Sequence, residues 1–158
     1  MSMLYIGFDS SSKMVHSVAL DQQGKIKWFK KWIDDKSKDF DIRYYNIMGL
    51  LWEDIGKWKD KKYICVIETP IYVQNAKATI GLAQMVGGIK WVLRYNNIAP
   101  FCIDNKFWKK QILGDGNASK EKILQFAETK WGKVFKEQDF ADAACIALWG
   151  LDKFKDRL

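Results

Sequence analysis

Met3-Leu-Tyr-Ile-Gly-Phe-Asp9 and Tyr63-Ile-Cys-Val-Ile-Glu68 are the two stretches that decide the architecture of this chain. Each is an apolar run that closes on a carboxylate. An apolar run of this length, bounded by turn residues, reads as a strand covered on both faces. If the two strands are parallel neighbours, Asp9 and Glu68 stand side by side at the carboxyl edge of a sheet. That edge is where open α/β sheets bind ligands. A carboxylate at the end of a buried strand is costly unless a cation neutralises it, so the pair points to a cation.

Working outward, residues 14–20 form a second strand, and the turn Asp21-Gln-Gln-Gly24 returns the chain as a third over residues 25–33. Gly24 supplies the positive φ angle that the turn needs. After a charged connector from Asp34 to Asp41, apolar residues recur at helical spacing from Ile42 to Trp58. Thr69-Pro70 ends the Glu68 strand, and Asn75 is a good N-cap for a helix running to Tyr95. A short fifth strand covers Pro100–Ile103, Gly114 to Lys120 is a loop, and helices follow over Lys120–Lys130 and Gln138–Phe154. The order predicts an α/β fold, a five-stranded mixed sheet flanked by helices, in a single domain over residues 1–158.

Two further acids open the last helix. Asp139 and Asp142 lie three residues apart and share one face. Either of them is explained by the helix dipole alone. The small residues Ala141, Ala143, Ala144 and Ala147 let the helix approach the sheet closely, which brings both acids toward Asp9 and Glu68. Four converging carboxylates would repel one another and retain protons at neutral pH. Two hard divalent cations relieve that repulsion, and Mg²⁺ prefers oxygen ligands. A pair of such ions about 3.5–4 Å apart can activate water and stabilise the leaving oxygen of a phosphoryl displacement.

Composition narrows the alternatives. With 158 residues, 48% of them hydrophobic, and 8 Trp, 9 Phe and 6 Tyr, the chain can bury a full core. No stretch resembles a membrane span, and the N-terminus reads as a strand instead of a signal peptide, so a cytoplasmic protein is expected. The single histidine, His16, excludes a two-histidine metal site and is read as structural. The three cysteines sit in apolar runs, match no zinc spacing and are expected to be buried free thiols. The net charge of +7 suits a polyanion, although a lysine-rich composition alone also produces it. Lysines recur from Lys106 to Lys133, each of which singly reads as a solvated surface residue. Trp108 reads equally as a base-stacking platform or a core residue. Gly114 to Lys120 misses the P-loop pattern, so no nucleotide cofactor is expected.

Three blocks carry a resemblance to a known family: Ile6-Gly-Phe-Asp9-Ser-Ser-Ser12, then Val66-Ile-Glu68 with Asn75-Ala76, Gln84 and Gly87 downstream, then Asp139-Phe-Ala-Asp142-Ala-Ala-Cys-Ile-Ala. In order and spacing they resemble the RuvC Holliday-junction resolvases. That resemblance implies an RNase H-like fold and a homodimer making paired, metal-dependent nicks across four-way DNA junctions. It implies two Mg²⁺ per site, with Mn²⁺ as a substitute, held by Asp9, Glu68, Asp139 and Asp142. Lys110 and Lys120 would contact the phosphate near the cut, and Asn75, Lys109 and Lys122 would also meet DNA. The helix from Asn75 would form the dimer interface, where Gly81, Ala83, Gly87 and Gly88 either permit close approach or mark a loosely specified core helix.

The chain departs from the family at two places. Ser10-Ser11 stands where the family has Pro-Gly, and the junction-wedging aromatic falls on Ile71, with Tyr72 beside it. An aliphatic wedge can still unstack bases. Relaxed cutting of forks and flaps is therefore expected beside cutting of junctions, in a divergent or phage-encoded member. Two rivals remain: a nuclease acting on RNA, and an inactive nucleic-acid-binding scaffold. An actin-like ATPase needs two such domains, more than this length supplies.

Overall fold

A computed structural model describes residues 2–58, 61–70 and 75–156. Ile71 and Tyr72, the expected wedge, lie outside the described residues. The elements run β1 (Met3–Ser10), β2 (Met14–Leu20), β3 (Ile26–Ile33), α1 (Phe40–Ile55), β4 (Lys62–Glu68), α2 (Ala76–Tyr95), β5 (Pro100–Ile103), α3 (Asn105–Leu113), α4 (Lys120–Trp131) and α5 (Gln138–Phe154). The sheet has the order β3-β2-β1-β4-β5. β1, β2 and β3 form an antiparallel meander, while β1–β4 and β4–β5 pair in parallel. The meander turns at Gly24, whose φ is 77° as its role in the turn requires.

Alternation along the central strand assigns residues to the two faces. Leu4, Ile6 and Phe8 pack with Ile47 and Leu51 of α1 and Met85 and Ile89 of α2. Met3 and Tyr5 point the other way, onto Ala143, Ala144 and Ala147 of α5. The strand period of two therefore puts Gly7 and Asp9 on the α5 face as well. In β4, Val66 packs on that same side against α5, which brings Glu68 there too.

Gly7 is what lets α5 sit so low. A Cβ at this position would overlap the Ala143 carbonyl oxygen and stand 2.5 Å from the Ala147 nitrogen, both backbone atoms that cannot turn aside. The small-residue face of α5 thus meets a residue with no side chain, and the first turn of the helix reaches the strand edge.

Two expectations need correction. The segment 105–113, for which no element was expected, is helix α3: Asp104 caps it by accepting from the Phe107 amide, and Gly114 stops it at φ 77°. Cys65 and Cys145 are buried free thiols, but Cys102 is exposed, since it lies on the short edge strand β5. No helix is long and apolar enough to cross a membrane among the described residues.

Candidate metal centre at the carboxyl edge of β1

The parallel register pairs Phe8 with Ile67, so Asp9 and Glu68 follow as neighbours one residue further on. α5 crosses this edge with Asp139 and Asp142 in its first two turns. One carboxylate oxygen each from Asp9, Asp139 and Asp142 lies within 4.8 Å of the others. All three are partly buried, in contact with both protein and solvent.

Their titration reflects this crowding. Asp9 is pushed well above the ordinary carboxylate range, first by burial and then by the charges of Asp142, Glu68 and Asp139, with Lys120 opposing. Asp142 is pushed up to about 6, mainly by burial; Asp139 and Glu68 add to the rise, while the Gln138 hydrogen bond and Lys109 oppose it. The Gln138 amide donates to Oδ1 of Asp142 at 3.3 Å from one helical turn earlier. A cluster that is costly to ionise and consists of hard oxygen donors fits a divalent cation such as Mg²⁺.

Glu68 stands beside this trio and is fastened. The Trp108 indole N–H donates to its Oε2 at 2.6 Å, and the Asn105 amide donates to the same oxygen at 2.9 Å. Hydrogen bonds to a carboxylate are short and strong, and two on one oxygen fix its direction; Oε1 has no hydrogen bond among the described residues. Trp108 is fully buried, which excludes base stacking and gives it a different task. Helix α3, absent from the expected elements, exists here to present Asn105 and Trp108 to Glu68.

The cations sort by position. Lys120, first residue of α4 after its Ser119 cap, is close enough to Asp9 to oppose its protonation. Lys109 does the same for Asp142, with its ammonium 5.8 Å from the Trp108 ring. Lys110 is exposed in the last turn of α3. Lys122 pairs with Asp115 at 3.1 Å on the surface. Asn75 caps α2 by accepting from the Ala78 amide, so its side-chain oxygen already has a structural use.

An open mixed sheet of this order, with carboxylates gathered at the end of its central strand under a closing helix, defines a protein of RNase H-like fold. Comparison with known proteins agrees. Two structures of Thermus thermophilus RuvC superpose over 99% of this chain. One, in complex with a Holliday junction substrate, has a TM-score of 0.75 at 13% identity, with 95% of its chain covered. The other has 0.73 at 12% identity, with 96% covered. Residues 3–151 match the family described as Lactococcus phage M3 protein, in keeping with the phage-type member expected. The crossover junction endodeoxyribonuclease RuvC of Brachyspira hyodysenteriae is 32% identical over 113 residues, 72% of this chain and 69% of that one. The chain belongs to the RuvC family.

Proposed function

We propose that the chain is a divalent-metal-dependent endonuclease that cuts four-way DNA junctions, and forks or flaps less selectively, by phosphodiester hydrolysis giving paired nicks. Asp9, Asp139 and Asp142 would hold the metal, with Glu68 as the fourth ligand through Oε1. When bound, two Mg²⁺ ions, or Mn²⁺ in their place, neutralise the cluster and supply an activated water and charge stabilisation at the leaving oxygen. The observation that carries the reading is the convergence of three carboxylate oxygens, from Asp9, Asp139 and Asp142, within 4.8 Å, with Asp9 and Asp142 pushed toward protonation, first by burial and then by the neighbouring acids.

The chain's own residues do the rest. Lys120, whose charge acts on Asp9, would contact the scissile phosphate, and Lys109 and Lys110 would offer further cations on α3. Lys122 would exchange its exposed Asp115 partner for a phosphate. Ile71 and Tyr72, three and four residues after Glu68, are the residues proposed to part the bases at the junction centre, and Asn75 would contact the strand beside them.

A homodimer is supported by α2. Ile80, Ala83, Gly87 and Trp91 form an exposed stripe at helical spacing, with Ile80 66% and Trp91 60% exposed. The glycines divide here. Cβ atoms at Gly81 and Gly88 would meet Phe40, Met48 and Tyr44 of the same chain, whereas one at Gly87 would meet nothing within 4 Å.

Cleavage of a labelled four-way DNA junction in Mg²⁺, beside a fork, a linear duplex and an RNA junction, tests the proposal with Asp142→Asn as control. Paired nicks lost in the variant while binding persists are the expected result. Binding without cutting in either Mg²⁺ or Mn²⁺ would refute catalysis and leave a scaffold, and preference for the RNA junction would refute the DNA assignment.

A further inference from the structure

His16, set aside as structural from the sequence, stands next to the metal-holding edge. It pairs with Asp9 in the β1–β2 register, so both side chains leave the same face of the sheet. It is buried, with its Nε2 2.6 Å from Oε2 of Glu137 and its Nδ1 3.7 Å from Oδ2 of Asp139. Phe140 closes over the ring edge-on at 4.8 Å. Lys31 of β3 donates to both oxygens of Glu137, at 2.8 and 3.1 Å. An ionised carboxylate can only accept, so the imidazole Nε2–H donates to it.

Glu137 occupies the N-cap of α5. Helices α1 to α4 are each capped by a side chain, from Asp39, Asn75, Asp104 and Ser119. Glu137 makes no such bond. Its carboxylate turns away from its own helix and ties the helix start to β2 and β3. Asp139, two residues on, is 41% exposed, so packing alone holds it weakly. We infer that His16, Glu137 and Lys31 form a positioning clasp that fixes the first turn of α5, and with it Asp139, against Asp9. Its consequence at the metal rests on the function proposed above; its mechanical part does not.

Partners that orient metal ligands typically change metal affinity about 10- to 100-fold when removed. The test uses Glu137→Ala and Lys31→Ala, whose side chains are partly exposed, and Glu137→Gln, which keeps an acceptor for the imidazole. Three readouts apply to the full chain: hydrogen exchange of amides 141–145 without metal, Mn²⁺ affinity by calorimetry without DNA, and the thermal midpoint. The clasp predicts faster exchange confined to the start of α5 and Mn²⁺ affinity lowered about 10-fold in Glu137→Ala. Glu137→Gln should recover part of both, and junction binding should be unchanged. Wild-type exchange and Mn²⁺ affinity in Glu137→Ala would overturn the inference, as would faster exchange spread over the whole chain with a lowered midpoint. If the wild-type protein binds no Mn²⁺, the metal reading fails, and the exchange arm alone still decides whether the clasp exists.

Discussion

At the scale of the residue, Asp142 and Asp9 hold protons more tightly in the folded protein than a free carboxylate does. Asp142 titrates at about 6, against an ordinary value of 3.8, and Asp9 is displaced in the same direction. The sign of the linkage follows. Through these two groups the folded state binds more protons than the unfolded one between about pH 4 and 6, so their contribution to stability falls as the pH rises through that window. Above it the full cost of charging the cluster is present, unless a cation offsets it. Asp142→Asn should therefore stabilise the metal-free protein at pH 7.5 by about 1–3 kcal/mol and change little at pH 4. Thermal melts in EDTA at the two pH values, repeated with Mg²⁺, check this. Mg²⁺ should raise the wild-type midpoint at pH 7.5 and leave the variant nearly unmoved. Asp34, Asp115 and Glu137 are held low instead, so only the difference between variant and wild type isolates the cluster. The four acids were legible because each ends an apolar strand or opens a helix with a small-residue face. Trp108, Asn105, His16 and Glu137 were not. Trp108 meets Glu68 across 40 positions and His16 meets Glu137 across 121, and no local pattern encodes contacts that only the finished topology creates.

At the scale of the element, α5 is the part on which the site depends. It lies over β1 and carries two of the acids, and its height above the sheet is set where Gly7 faces Ala143 and Ala147. Overfilling a tight contact typically costs about 1–3 kcal/mol, and more where only backbone can yield. Gly7→Ala should lie at the upper end of that range, read as a lowered urea midpoint with an unchanged slope. It should also weaken metal binding, because lifting α5 separates Asp139 and Asp142 from Asp9. Ala19→Gly, on the opposite face of β2, serves as the control that loses stability without changing metal affinity. The β1–β4 neighbourhood, raised as a condition by the two apolar runs that end on acids, and this close approach, suggested by the alanines of α5, were readable; the full strand order was not. Helix α3 was missed, although its start and stop signals, Asp104 and Gly114, are both present. The nine residues between them carry only one buried side chain, Trp108, so no apolar stripe announces the helix.

At the scale of the whole molecule, the sheet divides the labour. The α5 face carries the acids, and the α1–α2 face carries an exposed aromatic and aliphatic surface. Tyr45 is 72%, Ile80 66% and Trp91 60% exposed on this face, and grouped exposed apolar side chains mark interaction surfaces. A second copy related by a two-fold axis would cover it and set two metal centres on one junction, as paired nicking requires. Gly87 offers a clean probe, because a side chain there meets nothing in its own chain. Replacing a mid-helix glycine by a better helix former stabilises the monomer by up to about 1 kcal/mol, so Gly87→Glu should not harm the fold. Between two copies, the same side chain would place a charge in an apolar, closely packed interface. Sedimentation should therefore show a dimer for the wild type and a monomer for Gly87→Glu at the same concentration. Mn²⁺ affinity should be equal in both, since the acids lie across the sheet. Junction cutting by the variant should then lose its pairing, leaving single, uncoupled nicks. A variant that stays dimeric places the interface elsewhere, and a wild type that sediments as a monomer removes the dimer altogether.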